Sequence, residues 1–117
     1  MRLASIVGAA WMALAPAHAA VMVLDTPSYT VNIDVRCEEG QVSCDKVHYK
    51  GTHRKNGQSI ALKGKTLHTL CADGVTPCRF LGYVFANGKT RYTVLEEGEL
   101  TVQRGDKTLI REKGTWR

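Results

Sequence analysis

Residues 80–95 read FLGYVFANGKTRYTVL, in which two runs of apolar, aromatic and β-branched residues flank Asn87-Gly88. The Asn-Gly dipeptide is a strong signal for a tight hairpin because both residue types tolerate a positive φ angle. This stretch therefore predicts two antiparallel strands, at residues 78–86 and 89–95, joined by a short turn.

Similar signals lie on both sides of this hairpin. Apolar and polar residues alternate over residues 31–36, which is the period of a strand with one buried face. Turn signals recur at Asn56-Gly57, Gly64, Gly98 and Gly105-Asp106. Because the connections are short, strands adjacent in the sequence are expected to pair antiparallel. The predicted strands are residues 29–37, 43–54, 58–63, 65–71, 78–86, 89–95, 99–104 and 107–112.

The predicted fold class is all-β, an antiparallel meander of about eight short strands. Eight strands can close into a small barrel or divide into two packed sheets, and the sequence leaves both arrangements open. No segment after residue 20 has sustained helical periodicity. The oligomeric state is also left open, because an unpaired sheet edge could join two copies of the chain.

Residues 1–19 have the pattern of a secretory signal peptide. Met1-Arg2 provides a positive start, residues 3–14 are almost continuously apolar, and Ala17-His18-Ala19 fits a small-residue cleavage site. The apolar run is too short to cross a bilayer as a helix. We therefore expect a periplasmic or secreted protein whose mature chain has no membrane span.

The remaining 98 of the 117 residues have the length of one domain. We expect a flexible lead-in at residues 20–27 and a single β domain at residues 28–117. A chain of this length buries only about 60 to 65% of its unfolded surface, so its apolar core is modest. Covalent cross-links would add a large share of its stability.

The four cysteines form two pairs with equal spacing, Cys37-x6-Cys44 and Cys71-x6-Cys78. An even number of cysteines in an exported chain favours disulfides over thiols. Of the three pairings that four cysteines allow, the repeated local spacing favours Cys37 with Cys44 and Cys71 with Cys78. A zinc site is disfavoured because paired zinc ligands are commonly two to four residues apart.

The net charge is +5, and the basic residues are unevenly distributed. Residues 46–72 contain six Lys or Arg and no Asp or Glu, whereas acidic residues gather at 38–39 and 96–99. A face of one sign attracts partners of the other sign, here an acidic protein, glycan or lipid rather than nucleic acid. A solvated face that only maintains solubility would have the same composition. The predicted basic face consists of Lys46, Lys50, Arg54, Lys55, Lys63 and Lys65.

The loop at residues 71–78 is the most distinctive candidate contact. Closed by a disulfide, it would be a rigid ring that binds a partner at little ordering cost, or a staple between two strands. The following strand is apolar on both faces, so it is either covered on both sides or exposes an aromatic patch rimmed by basic residues. The predicted partner-binding residues of this loop and strand are Asp73, Gly74, Thr76, Pro77, Arg79, Tyr83 and Arg91.

Catalytic signals are missing from the sequence. It has no nucleophile elbow, phosphate-binding glycine loop or His-Glu-x-x-His motif. His48 and His53 would point to opposite faces of one strand, and no carboxylate lies in that region to complete a metal site. We predict no catalytic residues, no metal and no cofactor.

The chain resembles the bacterial C-type lysozyme inhibitors, which are small periplasmic β-barrel proteins. The resemblance lies in the exported domain of this length, the meander, the disulfides, and the Tyr within residues 87–93, NGKTRYT, which is similar to that family's Ser-Gly-x-x-Tyr segment. Asn87 stands where the family has Ser. The resemblance implies Gly88 and Tyr92 as contacts to a lysozyme.

These observations predict an exported, non-catalytic binding module. The most specific form of this hypothesis is a periplasmic inhibitor or immunity protein that acts on a cell-wall or envelope hydrolase. The alternative is an envelope-associated structural protein that binds acidic glycan or lipid through its basic face.

Overall fold

The computed structural model of the protein describes residues 20–38 and 40–117. The predicted signal peptide, residues 1–19, lies outside the described residues. Within the described ranges there is no helix of the length and apolarity needed to cross a bilayer. The strands are β1 (Ala20–Asp25), β2 (Tyr29–Val35), β3 (Val47–His53), β4 (Ser59–Leu70), β5 (Pro77–Asn87), β6 (Thr90–Leu95), β7 (Glu99–Arg104), β8 (Lys107–Lys113) and β9 (Thr115–Trp116).

The strands form one antiparallel sheet in which β1 to β8 pair in chain order. This arrangement confirms the predicted all-β meander. The short strand β9 pairs with β1, where Leu24 lies opposite Trp116. Because β8 and β9 are separated only by Gly114, the two edges of the sheet approach each other. The result is a nearly closed barrel rather than a sandwich.

The junction at Gly114 is closely packed against β1. The Gly114 N–H donates to the Gly98 carbonyl oxygen over 2.8 Å, and the Arg117 N–H donates to the Val23 carbonyl oxygen over 2.9 Å. A Cβ atom at Gly114 would lie 2.2 Å from the Asp25 carbonyl oxygen. Only glycine therefore allows the chain to pass between the two edges at this point.

Alternate side chains of the strands fill the barrel interior, as expected for strands with one buried face. The Phe85 ring lies at the centre and is tilted against the Tyr49 ring, with 5.1 Å between the centroids. The largest fully buried side chains are Phe85, Leu24, Ile33, Leu100, Val31, Val47 and Val94.

Two segments differ from the sequence-based prediction. Residues 20–25, expected to be part of a flexible lead-in, form β1 and pair along their whole length with β2. The turn predicted at Gly64 is wrong, because β4 runs without interruption from Ser59 to Leu70. Gly64 faces the interior, and a Cβ atom there would lie 2.4 Å from the Phe85 ring. A close approach of packed groups, rather than chain reversal, requires this glycine.

The connections of the meander alternate between the two ends of the barrel. We call the end that carries residues 54–58, 88–89 and 105–106 the hairpin end; its glycines Gly57 and Gly88 have φ angles of +73° and +63°. The opposite end, the disulfide end, carries both disulfides and the turn at residues 96–98. Each candidate surface below is located by these two ends.

We predict that Gly64→Ala lowers the free energy of unfolding by about 2 to 3 kcal/mol, because the added methyl group overpacks the Phe85 ring and the Val84 carbonyl. Denaturant unfolding of the disulfide-intact protein measures this change. Lys65→Ala, at the next residue and on the outer face, serves as the control and should change the stability by less than about 0.5 kcal/mol. Equal stability of the two variants would contradict the packing assigned to Gly64.

Candidate binding surfaces

The two disulfides join the cysteines that the sequence spacing paired. Cys37 is bonded to Cys44 and Cys71 to Cys78, with Cα–Cα distances of 5.9 and 5.2 Å. The predicted pairing is confirmed, and it engages all four cysteines of the sequence. Both bonds brace connections at the disulfide end.

Strands β4 and β5 are the longest and project beyond their neighbours at the disulfide end. The ladder between β3 and β4 stops at Gly64, and the ladder between β5 and β6 starts at Gly82. Beyond these points β4 and β5 pair only with each other, and His68 lies opposite Phe80. We call residues 68–80 the ribbon; its tip is the disulfide-closed ring of residues 71–78.

Hydrogen bonds within the ring hold its shape. The Asp73 carboxylate accepts the Val75 and Thr76 backbone N–H groups, each over 2.9 Å, and also the Thr76 hydroxyl. The hydroxyl bond, followed by the backbone bonds, lowers the pKa of Asp73 from its ordinary 3.8 to about 2. Asp73, predicted as a partner contact, therefore uses its carboxylate to shape the loop.

Apolar side chains are exposed at the tip of the ribbon. Leu70 and Val75 are 59% and 77% exposed. Gly74 and Thr76 are also exposed, and Pro77 is half-buried. At the base of the ribbon, the Phe80 ring packs edge-on against His68 and Tyr83, with centroid distances of 5.5 and 5.3 Å. The ribbon thus combines a braced base with an apolar tip.

The two tyrosines predicted as contacts do not lie on the outer surface. Tyr83 is 8% exposed and belongs to the core, and Tyr92 packs inward against Tyr49 with 5.5 Å between the centroids. Strand β5 is covered on both sides, since the outward-facing Val84 is also only 8% exposed. The sequence left open whether this strand is covered on both sides or exposes an aromatic patch, and in the structure it is covered.

The remaining predicted contacts lie far apart. Arg79 is exposed on the ribbon, whereas Gly88 and Arg91 lie near the hairpin at the other end of β5. An extended strand rises about 3.3 Å per residue, so the ring and this hairpin are separated by about 30 Å. The structure therefore places the predicted contacts on two separate surfaces rather than one.

A groove crosses the outer face of β4, β5 and β6. It has a volume of about 540 Å³, and the outward-facing Val84 contributes to its floor. We call it the basic groove, since its lining includes four cationic side chains and one carboxylate, Asp45. The cationic residues are Lys63, Lys65, Lys89 and Arg91.

Strand alternation explains how the cations converge. Because Gly64 faces the interior, Lys63 and Lys65 both face outward. Lys65 lies opposite Val84 on β5, and Arg91 on β6 lies opposite Ala86 on β5. The charge distribution predicted Lys63 and Lys65 but not Lys89. The Asn-Gly signal for the β5–β6 hairpin, combined with antiparallel pairing of neighbouring strands, could have added Lys89.

The six residues of the predicted basic face have different surroundings. Lys63 and Lys65 line the groove, and Lys50 and Lys63 line a neighbouring recess of about 340 Å³. Arg54 instead donates to the Asp25 carboxylate over 2.9 Å and to the Thr26 carbonyl over 2.8 Å, so it braces the turn after β1. Lys46 is exposed near the disulfide end and Lys55 in the β3–β4 hairpin.

The groove cations have no ionic partner within the part of the chain that the structure describes. The ion pairs there involve Asp25, Asp34 and Glu99 with arginines outside the groove. In the same ranges no three His, Cys, Asp or Glu side chains come together as a metal site would require. With four cations and one carboxylate, the groove therefore presents a net positive charge over an apolar floor.

No known protein family, curated protein or solved structure matches this chain. What the surfaces bind must therefore be inferred from their chemistry.

We predict that Thr76→Val raises the pKa of Asp73 from about 2 towards its ordinary 3.8, because the hydroxyl donor is lost. Carboxyl chemical shifts followed by NMR between pH 1 and 6 measure the titration. A depressed folded-state pKa contributes stability above the unfolded-state pKa, and that contribution disappears as the pH falls towards 2 in the native protein. In Thr76→Val the contribution above the unfolded-state pKa should be smaller than in the native protein.

Thr69→Val is the control for this titration. The Thr69 hydroxyl accepts the Arg79 backbone N–H over 2.9 Å on the ribbon and does not bond Asp73. The pKa of Asp73 should be the same in Thr69→Val and in the native protein. A pKa of Asp73 near 3.8 before any substitution would contradict the hydrogen-bonded ring.

Proposed function

We propose that this protein is an exported, non-catalytic binding module that holds an acidic glycan of the cell envelope in the basic groove. The observation that carries the proposal is the convergence of Lys63, Lys65, Lys89 and Arg91 around an apolar floor. The strands fix the backbone positions of these four residues before binding. Association therefore loses little backbone conformational entropy.

The shape and composition of the groove favour a glycan over a membrane surface. A volume of about 540 Å³ falls in the range of pockets that enclose a small molecule or a few sugar rings. The apolar face of a sugar ring can lie over the exposed Ala86 beside Val84 while its carboxylate or phosphate groups meet the cations. Arg91 supplies a planar guanidinium suited to two-point contact with a carboxylate, and the lysines supply point charges.

Export is supported by the covalent structure. Two disulfides in a small domain are typical of proteins that work in an oxidising compartment, and the pattern of residues 1–19 agrees with that location. We assign the protein to the periplasm or the cell exterior, where acidic envelope glycans are accessible.

Three carboxyl groups have lowered pKa values and structural partners, which supports the non-catalytic assignment against a general-acid role for them. Hydrogen bonds from Arg117 lower the pKa of Asp25, and those from Thr76 lower the pKa of Asp73. Burial opposes ionisation of Glu112, yet the hydrogen bonds from Ser28 and Thr26 together with the nearby His53 outweigh it and lower that pKa too. A general acid at neutral pH needs a raised pKa instead. These carboxylates have structural partners rather than catalytic ones.

Binding of galacturonic acid oligomers, measured by calorimetry, tests the glycan proposal. The native protein should bind them, and the affinity should fall as salt is added because the contacts are charged. We predict that the double variant Lys65→Glu/Arg91→Glu binds at least about 10-fold more weakly, since two charge-assisted contacts become repulsive.

Neutral galactose oligomers and a variant with equal net charge are the controls. Lys107→Glu/Lys113→Glu reverses two exposed lysines of β8, outside the groove, and should retain the native affinity. Equal loss in both double variants would show attraction by net charge alone and contradict the groove. Binding to phosphatidylglycerol vesicles in place of the oligomers would contradict the glycan proposal.

Inhibition of a cell-wall hydrolase is a second candidate, favoured by the ribbon. Its apolar tip, with Leu70 and Val75 exposed, is held by a disulfide and could enter a cleft with little ordering cost. In a C-type lysozyme assay, inhibition should be lost in Val75→Asp and retained in Lys65→Glu/Arg91→Glu. Activity of lysozyme unchanged by excess native protein would exclude this candidate.

A further inference from the structure

A third feature, independent of the groove and the ribbon, lies inside the barrel. A cavity of about 270 Å³ opens at the hairpin end and is enclosed by inward-facing residues of β2, β3, β4, β6, β7 and β8. Its apolar walls are Ile60, Leu100, Val102 and Ile110, and three tyrosines, Tyr29, Tyr49 and Tyr92, complete the enclosure.

The Tyr49 hydroxyl is the polar group of this cavity wall that the proposal uses. Tyr49 is only 3% exposed, and its hydroxyl takes part in no hydrogen bond among the described residues. The hydroxyl lies over Gly51, where a Cβ atom would be 2.5 Å from it. The absence of a side chain at Gly51 thus makes room for the end of the Tyr49 ring and fixes where its hydroxyl lies. Among the described residues the only fully buried side-chain polar atom without a partner is an oxygen of Asp34, so the Tyr49 hydroxyl is accessible from the cavity and available to water or a ligand.

The tyrosines are arranged as a cluster of neutral donors. The Tyr49 and Tyr92 rings are 5.5 Å apart, and Tyr29 packs edge-on against His53 at 5.1 Å. Burial raises the pKa of Tyr49 and of Tyr29 above the ordinary 10.0, so both hydroxyls keep their protons at neutral pH. The cluster can therefore donate hydrogen bonds but offers no charge to a ligand.

No Lys, Arg, Asp or Glu side chain among the described residues lines the cavity. Glu112 lies across from Leu100 on β8, but its two oxygens accept the Ser28 backbone N–H over 3.1 Å and the Ser28 hydroxyl over 2.6 Å. The polar rim consists of His53 and the side chains of the β3–β4 hairpin region, Asn56, Gln58 and Ser59. A charged ligand would lose its hydration here without gaining a counter-charge.

We propose that this cavity is a binding site for a neutral, single-ring small molecule with a hydrogen-bond acceptor, the ring lying against Leu100, Val102 and Ile110 and the acceptor facing Tyr49. The size agrees with this class: an apolar cavity of about 150 Å³ accommodates benzene, so about 270 Å³ accommodates one substituted ring. The site lies inside the barrel and so does not depend on the groove.

Acetophenone, a neutral ring with one carbonyl acceptor, is the probe for this site. In methyl-resolved NMR titrations of the disulfide-intact protein, it should shift the Val102 and Ile110 methyl signals saturably. Toluene, which lacks the acceptor, should bind more weakly, and benzoate, which carries a charge, should leave these signals unchanged. Absence of any saturable shift with acetophenone, or equal affinity for all three probes, would overturn the proposal.

Two isosteric variants assign the acceptor contact. Tyr49→Phe should weaken acetophenone binding by about 3- to 10-fold, the loss expected for one hydrogen bond, and should fold as the native protein does because the hydroxyl has no described protein partner. Tyr83→Phe makes the same change to a buried tyrosine outside the cavity and should retain the native affinity. Equal affinities of both variants would overturn the contact to Tyr49.

A variant that fills the cavity tests whether acetophenone binds inside it. Ile60→Phe places extra volume in the cavity from the side of β4 and should abolish the saturable shifts of acetophenone. If it fails to fold, Ile60→Met, which changes the shape at nearly constant volume, should reduce the affinity instead. Native affinity in a folded Ile60 variant would place the probe elsewhere and contradict the proposal.

Discussion

The change of partner at Gly114 is the constraint on which the other features depend. Strand β8 leaves β7 at this residue and continues as β9 beside β1, in a gap too narrow for a side chain. The Trp116 indole N–H then donates to the Glu96 carbonyl oxygen over 2.7 Å, which joins the turn between β6 and β7 to the closing strand. Without this closure the meander would be an open sheet, with an unpaired edge and an interior exposed to water.

In the closed barrel the tyrosine cavity, the basic groove and the ribbon lie at three separate positions. The interior side of the barrel carries the tyrosine cavity, and the outer face of β4 to β6 carries the basic groove. The extra length of β4 and β5 beyond their neighbours produces the ribbon at the disulfide end. Gly64 links the packed core to the basic groove, because its missing side chain admits the Phe85 ring on one side while Lys63 and Lys65 face outward on the other.

Local signals predicted much of this fold, and long-range packing accounts for the differences. Strand alternation and the Asn-Gly turns predicted the meander, and equal cysteine spacing predicted both disulfides. Gly64 was misread as a turn because its role depends on Phe85, which is 21 residues away in the chain. The burial of Tyr83 could not be predicted for a similar reason, since an aromatic residue on a strand that is apolar on both faces has the same sequence pattern whether it is covered or exposed. The groove required pairing between β4, β5 and β6, which composition alone does not encode.

Amide hydrogen exchange at the closing strand tests barrel closure most directly. In a closed barrel the Gly114 and Arg117 amides are bonded to Gly98 and Val23, so they should exchange slowly and with a free energy of opening similar to that of amides between β5 and β6. Exchange of both amides at the rate of an unprotected chain, while the β5–β6 amides remain protected, would show an open sheet and contradict this account.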